Sequence, residues 1–370
     1  MNSTIYATAR KRFRSRLLAA GCAAGLAAGL VSATSGTAHA ATIAVPCTGP
    51  TGGAAGLVNA ITMANNTPEA DTINLAPFCT YTLDTVDNTT NGPTGLPSVT
   101  TPITINASSA TIRRNPVAGT PDFRIFLVSE TGELTLNAVT LRGGQAPTGG
   151  AIAAFGGTLA VNNSLLRANT ATDQTQGATA AGGAIAGSNA SLTVRTSTIT
   201  DNTATGGSSG VGGGVAAVGG SLTLTASIVR NNTVTGGNDG QGGGVWAAFG
   251  STLTVSGGTI GGNTVKAPIA LGGGIVAAVG GAAQISTATV SANVANGTTA
   301  TGQAQGGGIF NSESMTLRNS SIVANTARAA AGGTASGDGV FNTGTLTRIF
   351  TPILANTPSN CINSDMGTGC

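Results

Sequence analysis

Read as a pattern of apolar and polar positions, the chain repeats itself from about residue 134 to residue 356. Each unit opens on a glycine run that ends in an apolar residue. It then passes a polar turn into an alternating segment such as Met315-Thr316-Leu317, and turns again into a second one such as Ser321-Ile322. An asparagine closes it. The apolar residue after the glycine run is Ile152, Ile185, Val215, Val245, Ile275, Ile309 and Val340, at steps of 33, 30, 30, 30, 34 and 31. The closing residues Asn169, Asn202, Asn232, Asn263, Asn293, Asn325 and Asn356 step by 33, 30, 31, 30, 32 and 31. Two independent markers that keep one period over seven units describe a solenoid, in which each unit packs only on its neighbours. The segments are too short and too punctuated by glycine for helices, so the pattern predicts an all-β chain wound as a parallel β-helix.

Alternation assigns the inward residues, for example Val215, Leu222, Leu224 and Val229 in one unit and Ile309, Met315, Leu317 and Ile322 in another. Each stacks on its equivalent one coil away, about 4.8 Å distant. The closing asparagines then form a column, read as a structural ladder of amides hydrogen-bonded to one another and to the turn backbone. Outward, the middle segment carries a row of threonines: Thr135, Thr193, Thr223, Thr254, Thr316 and Thr347, broken by Ala160 and Gln284. Stretches such as TATDQTQGATAAG after Asn169 read as long neutral loops projecting as a wall along one side of the rod. Upstream, Leu57, Val58, Ile61 and Ala64 fall at helical spacing and predict a short helix that caps the open end of the strands. Residues 84–100 read as a turn-rich loop. The expected organisation is an N-terminal cap and irregular strands over 41–101, coils over 102–356, and a C-terminal cap over 357–370.

Composition changes the picture at the ends. Arg10, Lys11, Arg12, Arg14 and Arg16 precede an Ala/Gly/Leu run and then Ala38-His39-Ala40, the three-part pattern of a secretory signal peptide over residues 1–40, with cleavage expected before Ala41. Its removal takes 5 of the 16 basic residues and none of the 13 acidic ones, leaving 11 − 13 = −2. The basicity of the whole chain is therefore no argument for nucleic-acid binding. The single histidine leaves as well, which excludes an imidazole base or a histidine-ligated metal. Four cysteines remain, a number that suits an oxidising destination and allows three pairings. If the repeats stack as a rod, only Cys47–Cys79 and Cys361–Cys370 come within reach.

GGGIFNSESMTLRNSSIVANTA and GGGVAAVGGSLTLTASIVRNNT resemble the repeats of secreted bacterial right-handed parallel β-helix proteins, in particular the polymorphic outer-membrane-protein type with its GG-x-Ile marker and closing Asn. The leading segment, with Cys47, AITMANN, ADTINL and YTL, is similar to the N-terminal cap of the same group. The resemblance implies a single-stranded right-handed helix of pectin-lyase-like architecture. That fold hosts lyases, hydrolases and adhesins, so the resemblance does not choose among them. The chain departs from autotransporter members in showing no barrel of alternating strands and no sorting anchor.

Lyases of this fold, by resemblance, need clustered carboxylates for calcium and a basic residue, and hydrolases need converging carboxylates. Asp173, Asp201, Asp239, Glu313 and Asp338 come from separate coils and read as scattered, solvated charges. Arg167 and Arg230 are interrupted by Thr200 and read as no basic stripe. Trp246 is a candidate sugar-stacking platform, and Phe249 a core residue. The chain is thus expected to be a secreted, monomeric rod with a structural, adhesive or glycan-contacting role, no catalytic site, no cofactor and no metal. Its expected partner is an extracellular polysaccharide or a cell-surface component. The alternatives are a polysaccharide lyase or glycoside hydrolase and, more distantly, an ice-binding protein, which would need a flat threonine face in two or more ranks.

Overall fold

The computed structural model describes residues 39–357 and 359–363. The proposed leader up to residue 38, and Cys370, lie outside the described residues. Strand Thr42–Val45 comes first, then helix α1 (Gly53–Ala64), and from Asp71 onward the named elements are all strands. Every named strand pair is parallel, and equivalent residues of successive coils face each other without slippage. The result is a parallel β-solenoid of about ten turns. A period-2 apolar pattern that is repeated every coil leaves one register that buries the apolar set, because a slip by one residue would turn it outward.

One coil shows the whole plan. Val215–Val218 belongs to a 9-stranded sheet; Ser221–Arg230 runs, with a bend in its middle, through a 19-stranded sheet. Between these two broad sheets lies the main core. Ile152, Ile185, Val215, Val245, Ile275, Ile309 and Val340 form one fully buried column in it. Leu136, Val161, Val194, Leu224, Val255, Ile285 and Leu317 form another. The bend recurs at the same place in each coil, at Ala138, Asn163, Thr196, Ala226, Gly257, Thr287 and Asn319, all in the left-handed region. Only one of these seven is glycine. The corner is held by the coils on either side rather than chosen by local preference, since the left-handed region costs other residues roughly 1–2 kcal/mol.

The stretches between repeats are not loops. They form two further strands per coil, such as Thr203–Gly206 and Ser209–Val211, which assemble into 7- and 6-stranded sheets. These two sheets close on a second, narrow core of Ala171, Ala180, Ala204, Val234, Val265, Ala270, Ala295, Ala304 and Ala327. Alternation of Thr with Ala carries the same period as Thr with Val, but alanine buries too little area to stand out as a core residue. Side chains this small also let the two sheets approach closely. At Gly206 and Gly236 a Cβ would run into the backbone of Ser209 and Asp239.

At the N-terminal end, α1 buries Leu57, Ala60, Ile61 and Ala64 against the first strands. Cys47 is disulfide-bonded to Cys79, Cα atoms 5.5 Å apart, and so ties the segment before the helix to the strand after it. Tyr81, fully buried, donates its hydroxyl to the Val45 carbonyl at 2.6 Å and accepts from Ala76 N at 3.0 Å. The 84–100 excursion is pinned by Arg124, whose guanidinium donates to the carbonyls of Asn91 and Thr148 and to Thr94 Oγ1. Arg124 is 1% exposed, and burial pulls its pKa down to about 10, so it stays cationic at neutral pH.

Candidate functional site

The closing asparagines occupy the seam where the broad 19-stranded sheet gives way to the 7-stranded one. Asn169, Asn202, Asn232, Asn263, Asn293 and Asn325 are fully buried. Each presents its Oδ1 to the preceding coil and its Nδ2 to the following one. Asn232 Oδ1 accepts from Asn202 N at 3.0 Å and from Asn202 Nδ2 at 2.9 Å; Asn232 Nδ2 donates to Asn263 Oδ1 at 2.9 Å and to Ile199 O at 3.1 Å. The row ends at Asn356, which donates from N and Nδ2 to Asn360 Oδ1. With both amide atoms spent inside the row, these residues have no free group for a ligand.

A second buried row was not evident from the repeat. Ser164, Ser197, Ser227 and Ser320 sit just after the bend. The hydroxyls of Ser197 and Ser227 accept from the backbone N–H of Ser164 and Ser197, one coil earlier, and each serine donates to the carbonyl two residues before it. Serine is common across the whole repeat, so spacing alone did not separate these four from the solvated ones.

The acidic residues do not converge. Asp173 accepts from Thr175, Asp201 from Thr200, and Asp239 from Ser209 and Gln241. Asp338 is not solvated. It is fully buried and clamps the C-terminal segment, accepting from Ala327 N at 2.6 Å and from Ser359 N and Oγ at 2.8 Å. Among the described residues there is no cluster of three or more side chains able to hold a metal ion. The two aromatic candidates exchange places with expectation. Trp246 is 7% exposed, packed among Val211, Ala216 and Val276, with Nε1 donating to Gln241 Oε1 at 3.0 Å. Phe249 is 46% exposed, at a left-handed corner. It lies one residue beyond Ala248, the actual partner of Val218, and this single-residue offset carries it out of the core.

The outer surface of the 19-stranded sheet is what remains, and it is ordered. Along each middle strand two outward positions alternate with buried ones. The register aligns Thr158, Ser191, Ser221, Thr252, Ala282, Ser314 and Thr345 as one rank. Thr104, Thr135, Ala160, Thr193, Thr223, Thr254, Gln284, Thr316 and Thr347 form the rank beside it. A third rank begins as Asn74, Asn106, Asn137 and Asn162, each Nδ2 bonded to the Oδ1 before it at 2.9–3.0 Å, and continues at Arg195. Past the bend, Arg113, Arg142 and Arg167 fall opposite one another in three consecutive coils, followed by Thr200 and then Arg230. The arginine column therefore exists, and it lies mostly upstream of the regular repeat. Arg142 precedes Gly144 instead of a closing asparagine, which hid its equivalence to Arg167. The only ion pair among the described residues is Arg114–Asp122 at 2.8 Å, so no carboxylate neutralises the column within bonding distance.

An apolar cleft of about 540 Å³ opens at the N-terminal end, between the first strand and α1, lined by Ile43, Val45, Ala60 and Met63. The chain matches no protein-family model, no curated protein and no solved structure.

Proposed function

We propose that this chain is an extracellular, non-catalytic rod that adheres to polysaccharide along the outer face of its 19-stranded sheet, with the arginine column directing it to acidic chains. The observation that carries the reading is the register of Arg113, Arg142 and Arg167. The middle strands of the same coils present Thr104, Thr135 and Thr158, the amides Asn106, Asn137 and Asn162, and one carboxylate, Glu133, and the paired hydroxyl ranks follow in the next coils. Coil-to-coil spacing of about 4.8 Å sets a repeat close to the length of one pyranose residue. A linear glycan laid along the rod meets equivalent groups at each step. Guanidinium forks donate to carboxylate or sulfate oxygens in a bidentate manner, and threonine hydroxyls donate to and accept from sugar hydroxyls. Weak contacts repeated over many coils add up through effective concentration. The Cys47–Cys79 disulfide suits the oxidising surroundings that such a role requires.

The test is co-sedimentation of residues 41–370 with a polyuronate gel and with a neutral glucan, across a salt series, with assay for unsaturated and reducing ends. Retention on the polyuronate that falls with salt, without products, is the expected result. Substituting Arg113, Arg142 and Arg167 together by Gln removes most of it. Product formation would instead establish a lyase or hydrolase, and equal retention on both polymers would remove the arginines from the reading.

Ice binding is the second reading, favoured by the paired hydroxyl ranks. They run unbroken for only three coils, Ser191/Thr193, Ser221/Thr223 and Thr252/Thr254, before Ala282 and Gln284 interrupt them. Thermal hysteresis in the same preparation would bring it forward.

A further inference from the structure

Asp71 is 1% exposed, and its carboxylate is bonded by neutral donors. Its Oδ2 accepts from Thr67 Oγ1 at 2.9 Å. Its Oδ1 accepts from the backbone N of Ala41 at 2.5 Å. Ala41 is held from the other side too, because its carbonyl accepts from Thr72 N at 2.8 Å. A buried carboxylate served by two neutral donors is costly, since neither a hydroxyl nor an amide offsets the charge. The neighbouring acid, Glu69, adds a buried Oε2 without a hydrogen-bond partner.

Ala41 is also the residue that the Ala38-His39-Ala40 pattern places first after the cut. His39, Ala40 and Ala41 are all exposed, and the atom that would become the new terminus is already seated on the carboxylate. We propose that hydrolysis of the Ala40–Ala41 bond completes this site, converting the Ala41 amide into an α-ammonium that forms an ion pair with the buried carboxylate of Asp71. The chemistry balances with one water. The C–N bond breaks, Ala40 leaves with a carboxylate, and Ala41 N takes up the protons that make it cationic. The catalyst is a peptidase that reads small side chains one and three residues before the cut. A neutral hydrogen bond becomes a charge-assisted one, which is roughly twice as strong. The precursor cannot make this interaction, so the strand Thr42–Val45 docks on Asp71–Leu75 more tightly after processing. The inference rests on the secretory reading above, with its cut before Ala41, and adds to it the use made of the new end.

The pairing has a pH signature. An α-amine held by Asp71 has its pKa raised above the free value of about 8, so the stabilisation is complete below about pH 8 and is lost as pH rises through the raised value. The charged group bonded to it is Asp71, with Glu69 two residues earlier in the chain; His39 departs with the leader.

The experiment begins with the full chain expressed in a secreting host and the N-terminus of the exported product sequenced. Failure to export rejects the secretory reading itself. Export with a terminus other than Ala41 rejects this proposal and leaves that reading standing. With Ala41 exposed, trace acetylation against pH measures the amine directly. At pH 8 we expect labelling slowed about fivefold against a free peptide, because a pKa raised from about 8 to about 9 cuts the neutral fraction from about one half to about one tenth. Asp71→Asn restores the free rate. Because Asp71→Asn alone could weaken the fold for other reasons, it is paired with a chain carrying Gly-Ser ahead of Ala41, where the nitrogen remains an amide. The melting temperature should fall further for Asp71→Asn in the processed chain than in the extended one. Equal losses in the two, or an amine that labels at the free rate, would overturn the ion pair.

Discussion

Replacing Asn232 by Ala tests the amide row at its centre. The Asn232 side chain makes four hydrogen bonds, all buried. Its loss does not affect the four partners equally. Asn202 Nδ2 keeps its bond to Leu166 O, and Asn263 Oδ1 keeps the Asn232 backbone N–H. Asn202 N loses its acceptor, in a residue with no exposed surface. An orphaned buried donor costs about 1–3 kcal/mol, and the three weakened bonds roughly 0.5–1.5 kcal/mol each, so the variant should lose about 4 kcal/mol. Asn356→Ala, at the partly open end of the row, should lose about half as much. Urea unfolding of the chain from Ala41 measures the totals. Solenoids can open in sections, so amide hydrogen exchange should accompany it, with protection falling most at Asn202 and in the two coils that flank residue 232. Asn232→Asp adds a sign. Its carboxylate would face Asn263 Oδ1, acceptor against acceptor, raising its pKa above about 4. Its neutral form can still donate, so this variant should be most stable, relative to the parent, in acid and lose ground as pH rises. A loss under about 1 kcal/mol for Asn232→Ala would show that water or a shifted backbone replaces the amide, and the ladder would not be a source of stability.

Three further outcomes follow. Trp246→Ala should cost about 3 kcal/mol in urea unfolding while leaving polysaccharide retention unchanged, because the indole is packed inside and bonded to Gln241; loss of retention at unchanged stability would return it to the binding face. Replacing Cys47 and Cys79 by Ser removes a cross-link spanning 32 residues and should cost about 3 kcal/mol. In the parent, Cys361 is also disulfide-bonded, and we propose Cys370 as its partner, so a maleimide should find no thiol in the secreted chain until it is reduced.

What could be read from the sequence was whatever repeats with strong contrast. Ile152 through Val340 alternate bulky apolar residues with glycine at nearly constant spacing, and parallel stacking follows from that period. The two small sheets had the same period written in threonine and alanine, a contrast too weak to tell a buried row from a loop. Arg113 and Arg142 share a column with Arg167, but Arg142 is followed by Gly144 where the closing asparagine would stand, which broke the marker by which equivalence was judged. Phe249 fell on the wrong side because its unit is displaced by one residue at the corner, and the side-chain period of a strand turns one residue into the opposite face. Arg124 and Asp338 were invisible for another reason. Each is buried by segments distant in sequence, the 84–100 excursion and the C-terminal tail, which no local pattern brings together.

The amide row also has a direction. In every step the earlier coil supplies the donors, a backbone N–H and an Nδ2–H, and the later coil supplies the Oδ1 that receives both. A chain threaded out of a membrane with its N-terminus leading would expose those donors first, on the uppermost finished turn. The next asparagine to emerge brings the one atom that satisfies them. Winding in that order never requires a completed turn to reopen, and each new turn is checked against the last before the following one arrives. The rod is thus suited to assembly as a ratchet, in which transport and folding advance together and backward slippage costs two buried hydrogen bonds at a time.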